Sequence, residues 1–205
     1  VLGSQAEILT PCVKHVSEID DEMWGRADAI LAWHELQYTE DIIEKLNRCK
    51  VIVRIGVGFD NVDINVAGKK GIIVCNVPDY GTNDVADHTI ALLLTLSRGI
   101  HAYNDKVKDE KSWNWNAAGV LHRLTGRTLG IIGLGRIGTA TAIRAKALGM
   151  SIITYDPYIP DAQVKALGVI RYGNLSDFLK RSDVISIHCP LTEETRGMAG
   201  ASFFD

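Results

Sequence analysis

The residues Gly133-Leu134-Gly135-Arg136-Ile137-Gly138 carry the chemistry most plainly readable in this sequence. They follow a β-branched apolar run at 128–132 and open a stretch of helical periodicity, 137–148, that closes at Gly149. Gly133 permits the tight turn off a strand, Gly135 lets a backbone approach a pyrophosphate, and Gly138 lets helix and strand pack closely. The helix start adds unpaired N–H groups and a partial positive charge, which suits phosphate. A bare G-x-G-x-x-G is weak, because glycine turns are common and many bind nothing; the strand–turn–helix context is what gives this one force over a purely structural turn. Asp156 lies eighteen residues beyond Gly138, at the end of the next strand, where a carboxylate can accept from both hydroxyls of an adenosine ribose. A 2′-phosphate there meets like charge, so the expected ligand is NAD rather than NADP.

Other candidates are less specific. Arg136 reads either as a solvated helix-start residue or as a cover for the pyrophosphate. The stretch His188-Cys-Pro-Leu-Thr-Glu-Glu-Thr195 leaves a strand at its carboxyl end, the edge where ligands sit in open α/β sheets, so its backbone and Thr195 are expected to wall the adenosine side. Cys189 reads as a small packing residue rather than a nucleophile, since no base is identifiable beside it. Arg54 and Gly56-Val57-Gly58 end another strand; the loop is either a sharp turn or a holder for a carboxylate, and Asp60-Asn61 follow as turn formers. Trp113 and Trp115 break a polar stretch, as rings packed on an interface or in contact with a ligand or another subunit.

Two α/β segments must position these groups. In the first, strands are expected at 27–33, 51–55 and 71–75, with helices at 39–50, capped by Thr39, and at 63–70. A helix of about four turns then starts at Thr82-Asn-Asp84 and runs toward Arg98, carrying Val85, Ala86, Ile90, Leu92, Leu93 and Leu94. The second segment alternates strands at 128–132, 151–155, 168–171 and 183–188 with helices at 137–148, 161–167 and 175–180. This β-α-β rhythm predicts parallel sheets, the second opening a doubly wound, Rossmann-type fold.

Bulk properties narrow the function. With 205 residues, 46% of them hydrophobic, and a formal net charge of −3, the chain can bury a core of one large or two small domains but has no basic excess for nucleic acid. Cys12, Cys49, Cys75 and Cys189 show neither C-x-x-C pairing nor metal-ligand spacing, so no metal is expected and a cytoplasmic location fits. The longest apolar run, near residues 90–96, is too short for a membrane span. A chain that opens on Val and stops at Asp205, where an amphipathic segment has barely begun, reads as a fragment at both ends.

The stretches Val53-Arg-Ile-Gly-Val-Gly-Phe-Asp-Asn-Val-Asp63, Cys75-Asn-Val-Pro78, Val85-Ala-Asp-His-Thr89, Gly130-Ile-Ile-Gly-Leu-Gly-Arg-Ile-Gly138, Tyr155-Asp-Pro157 and His188-Cys-Pro-Leu-Thr192 together resemble the D-isomer-specific 2-hydroxyacid dehydrogenases. That family includes phosphoglycerate dehydrogenase and the C-terminal-binding protein corepressors. The resemblance implies a flavodoxin-like α/β substrate domain over 1–98 and an NAD-binding Rossmann domain over 99–205, both incomplete, with the active site between them. It implies that Arg54 and the backbone of Val57 and Gly58 hold a substrate carboxylate. Ile132, Gly133, Leu134, Gly135, Arg136, Ile137, Gly138, Asp156, Cys189, Pro190, Leu191, Thr192 and Thr195 would line NAD. Val85 stands near the cofactor phosphates where some relatives carry Thr. The family's catalytic Arg, Glu and His would fall after residue 205, leaving no catalytic residue in this chain. Of the histidines, His34 stands nearest the expected substrate and His88 in interdomain packing; His15, His101 and His122 read as surface positions, and His188 closes a strand. The implied activity is interconversion of a small 2-hydroxy acid and a 2-oxo acid, or an NAD-responsive corepressor-like scaffold in its place. A homodimer formed through a helix between residues 98 and 119 is implied as well.

Overall fold

The structure, a computed structural model, describes residues 5–204. The chain divides into two compact units, Val1–Tyr80 and Gly81–Asp205.

The first unit holds α1 (Asp21–Arg26), β1 (Ala29–Ala32), α2 (Glu40–Lys45), β2 (Val51–Arg54), α3 (Ile64–Lys69) and β3 (Ile73–Asn76). Its three strands are parallel in the order β1-β2-β3, the neighbour pattern of the 3-4-5 limb of a flavodoxin-like sheet. The pleat sorts the side chains. Ala32 and Ile52 are buried with Trp24, Ile42, Ile43, Leu46 and Ala67, whereas Leu31 and Ile73 on the other face are exposed. α1 has no counterpart in the sequence expectations; Asp20 caps it by accepting from Met23 N at 2.6 Å. α2 is shorter than the expected 39–50, and Thr39, though at its N-cap, makes no side-chain capping bond.

The second unit begins with α4 (Thr82–Ser97) and α5 (Ile100–Lys108), then runs β4 (Thr128–Ile132), α6 (Arg136–Ala147), β5 (Ser151–Tyr155), α7 (Asp161–Ala166), β6 (Ile170–Arg171), α8 (Leu175–Lys180) and β7 (Val184–Ile187). α4 clusters with this unit: Arg144 of α6 donates from Nε to Asp87 Oδ1 at 2.5 Å and from Nη2 to Asn83 Oδ1 at 3.1 Å, and Leu93 joins the core of α6.

The four parallel strands lie in the order β6-β5-β4-β7. Counted within the unit this is 3-2-1-4, the doubly wound arrangement, with its reversal between β4 and β7. Both faces are covered. Leu129, Ile131 and Ile152 face a core with Ala142, Ala145 and Val164, while Ile132 and Ile153 face Phe178 and Phe203. That strict alternation along β4 and β5 is the signature of a sheet sandwiched between helical layers. Gly130 marks the tightest point: a Cβ there would stand 2.2 Å from Ser182 Oγ and 2.7 Å from Phe178 Cζ. Gly130→Ala should therefore push α8 off the sheet and cost about 1–3 kcal/mol. A urea titration followed by circular dichroism measures it, and an unchanged midpoint would contradict the close seat of α8 on β4.

Candidate functional site

The candidate site of the second unit lies at the carboxyl ends of β4, β5 and β7. β4 leaves the sheet at Gly133, whose φ of 86° is a left-handed conformation that side chains resist. A Cβ at Gly133 would also strike Cys189 N at 2.6 Å, so the turn and the chain leaving β7 touch backbone to backbone. Gly138 closes the other side, where a Cβ would meet Gly133 O at 2.2 Å. Gly135, by contrast, has open space beside its Cα and caps the twelve-residue α6, whose first N–H groups have no acceptor within the helix. The three glycines thus differ as their spacing predicts: two are forced by crowding and one leaves an approach free.

Asp156 is held more firmly than the sequence reading anticipates. Its Oδ2 accepts from Leu134 N at 2.8 Å, and its Oδ1 accepts from Tyr158 N at 2.9 Å and Ile159 N at 3.2 Å. The carboxylate therefore pins the phosphate turn to the loop after β5, using about three of its roughly four acceptor positions. A ribose diol arriving at Oδ2 would share or replace the Leu134 bond. Arg136 is exposed and takes part in no hydrogen bond or ion pair among the described residues, which leaves its guanidinium free.

After β7 the chain folds on itself. Thr195 Oγ1 donates to Pro190 O at 2.7 Å and accepts from Thr192 N at 2.8 Å, so its hydroxyl shapes the loop before it can serve a ligand. Cys189, Pro190, Leu191 and Thr195 line an open recess of about 350 Å³ with Ile187 and Met198. Burial pushes the Cys189 thiol above its ordinary value, which matches a packing role rather than a nucleophile.

The first unit places Arg54 at the end of β2. Its Nη1 donates to Ile55 O at 2.7 Å, while its Nε is buried without a partner among the described residues. A Cβ at Gly56 would lie 1.6 Å from Nη1, so Gly56 exists to admit the guanidinium. The carbonyls of Gly56 and Val57 are tied back to Val77 N at 3.0 Å and Asn76 Nδ2 at 2.8 Å. Neither the Val57 nor the Gly58 N–H donates to another described residue. Asn61, read from sequence as a turn former, is buried and donates to Trp33 O at 2.8 Å and Leu36 O at 2.9 Å, locking this loop to the one after β1. Its Asp60-Asn61 context gave no hint of that reach. His34 pairs with Glu35 at 3.5 Å and is largely exposed, and His15, His88, His101 and His122 are exposed too.

The family model for the D-isomer specific 2-hydroxyacid dehydrogenase NAD-binding domain matches residues 90–205. The chain belongs to that family. Residues 90–205 are thus the part of a D-2-hydroxyacid dehydrogenase family member that takes NAD, and the open Gly135, the α6 terminus and Asp156 fit that cofactor. The D-3-phosphoglycerate dehydrogenase of Bacillus subtilis is 40% identical over 185 residues, covering 90% of this chain and 34% of that protein. C-terminal-binding protein 1 of Caenorhabditis elegans is 38% identical over 98% of this chain and 28% of its own length. The structure of D-lactate dehydrogenase from Aquifex aeolicus complexed with NAD and lactic acid superposes with a TM-score of 0.80 at 36% identity, covering 88% of this chain and 54% of that one. The chain spans about a third of the length of these curated relatives.

One site-edge group carries a pH signature. His188 N donates to Ile132 O at 2.7 Å, its Nε2 meets Ser186 Oγ at 2.9 Å, and burial holds the imidazole below its ordinary 6.5. The unfolded chain therefore takes up this proton first as pH falls, and stability is lost from about pH 6.5 downward until the folded-state value is passed. His188→Gln should flatten the fall in melting temperature between pH 7.5 and 5.5; an unaltered slope would show that His188 is hydrated in the folded chain.

Proposed function

We propose that the protein is an NAD-dependent oxidoreductase that interconverts a D-2-hydroxy acid and a 2-oxo acid, of the class acting on CH–OH donors. The observation that carries this reading is the Asp156 carboxylate bonded to Leu134 N at the carboxyl edge of a 3-2-1-4 sheet, in a chain of this family. NAD supplies the hydride carrier when bound. Gly133, Leu134, Gly135, Ile137 and Gly138 would cradle the pyrophosphate, with Arg136 swinging over it and Asp156 taking the ribose. Ile132, Cys189, Pro190, Leu191, Thr192 and Thr195 would wall the remainder. In residues 1–98, taken as the substrate domain, Arg54 and the N–H groups of Val57 and Gly58 would hold the substrate carboxylate, a planar anion suited to a guanidinium fork.

A second reading is a corepressor-like scaffold that closes on NAD without fast turnover. The 38% identity to C-terminal-binding protein 1 across 98% of the chain favours it, and turnover of a 2-oxo acid by the whole protein decides between the two. A homodimer built on α5 is part of the proposal. Ile100 and Val107 of α5, with Trp113, Trp115 and Val120 after it, are between 50% and 92% exposed, an apolar surface of the kind that pairs. Four free cysteines support a reducing, cytoplasmic location, and among the described residues no helix is long and apolar enough to cross a membrane.

Fluorescence titration of the folded chain with NADH and NADPH tests the site. NADH should bind the tighter of the two, and Asp156→Asn should weaken NADH about ten-fold, the scale of a lost charge-assisted hydrogen bond. A folded chain that binds neither dinucleotide would overturn the reading.

A further inference from the structure

The two loops expected to flank the adenosine are joined by a side-chain contact that no motif contains. Tyr158 OH, in the loop after β5, donates to Glu194 Oε2, in the loop after β7. The tyrosine is fixed at its other end as well, since its backbone N donates to Asp156 Oδ1 at 2.9 Å. A continuous chain therefore runs from Leu134 N through the Asp156 carboxylate and Tyr158 to Glu194. It links the phosphate turn, the ribose acid and the loop beyond β7.

Its consequence is electrostatic. Glu194 is exposed and belongs to no ion pair among the described residues. The phenol ties it, through the Tyr158 side chain, to the residue whose backbone N–H Asp156 holds. The Glu194 hydrogen bond and charge, with smaller contributions from desolvation, Tyr155 and Asp156, raise the Tyr158 phenol above its ordinary value.

We propose that Tyr158 and Glu194 form a strap across the adenosine end of the site that sets a second carboxylate at the same sheet edge as Asp156 and so sharpens rejection of a 2′-phosphorylated dinucleotide. This deepens the cofactor reading above and rests on it. Asp156 alone would disfavour NADPH by direct like charge; Glu194 adds repulsion without having to touch the ribose. Tyr158 is a positioning residue in this scheme, because without its hydroxyl the flexible glutamate carries its charge out to solvent.

The test uses the whole chain in two measurements. First, the phenol is titrated by absorbance without nucleotide, as the difference between wild type and Tyr158→Phe, and again in a Glu194→Gln background. The strap requires Tyr158 to ionise at lower pH once Glu194 is neutral, and an unmoved transition overturns it whether or not the chain binds a dinucleotide. Second, NADH and NADPH affinities are compared. Glu194→Gln and Tyr158→Phe should each narrow the preference for NADH by about three-fold, the scale of an exposed charge contact, chiefly through tighter NADPH in Glu194→Gln. A preference unchanged in Glu194→Gln, with wild type binding NADH, overturns the discrimination while leaving the cofactor reading intact. Wild type that binds neither dinucleotide overturns both.

Discussion

Everything at the carboxyl edge of the second sheet depends on backbone meeting backbone around Gly133. The turn off β4 sits so close to Cys189 on one side, and Gly138 so close to the carbonyl of Gly133 on the other, that no side-chain carbon fits at either place. Those two absences set the height at which α6 begins relative to the strand ends. They also leave Gly135 as the point where a ligand can reach main chain without displacing anything. The free N–H groups of the α6 terminus become usable only because the crowding lies beneath them and not in front of them.

Asp156 serves that same turn before it serves any ligand. A carboxylate that accepts from Leu134, Tyr158 and Ile159 N–H groups neutralises three backbone donors that would otherwise need water, and it couples the end of β5 to the end of β4. The acid proposed to take the ribose is thereby built into the fold. Substituting it breaks a structural tie, so any change in cofactor affinity includes the effect of a loosened turn. The Arg54–Gly56 pair in the first unit follows the same economy: a glycine is needed there to leave room for a guanidinium, and the adjacent carbonyls are tied back so that N–H groups stay free.

The legible part of the molecule was local. The strand 128–132, the glycine turn, the helix after it and the acid at the end of the next strand are all encoded within about thirty consecutive residues, and period-2 and period-3.6 patterns carry them directly. What escaped was made by residues far apart in the chain. Asn61 looks like a turn former beside Asp60, yet its amide spans to carbonyls 25 and 28 residues away. Nothing local marks Gly130 within its strand, and only the arrival of α8, some fifty residues on, shows why nothing larger fits. α1 was missed because one short polar turn, DEMWGR, buries only Trp24 and so lacks apolar periodicity. The tie between α4 and α6 is likewise invisible locally, since Arg144 reaches Asp87 from 57 residues away.

The contrast between the two sheets follows from the same physics. In the second unit the central strands β4 and β5 are apolar on both faces, and helices with small inward residues, Ala142 and Ala145 in α6, lie close on one side while Phe178 fills the other. In the first unit only the Ile52 and Ala32 face is covered, and Leu31 and Ile73 remain open among the described residues. A sheet sealed on both sides has its strand ends fixed by packing, and side chains mounted on those ends can hold a carboxylate to within a hydrogen bond of a neighbouring turn. Asp156 reaches Leu134 N across a gap set by β4 and β5 alone, both of which are buried for most of their length. Precision at the dinucleotide end is thus a property of the double-sided core, and the glycine motif is the place where that core stops and main chain is left facing outward.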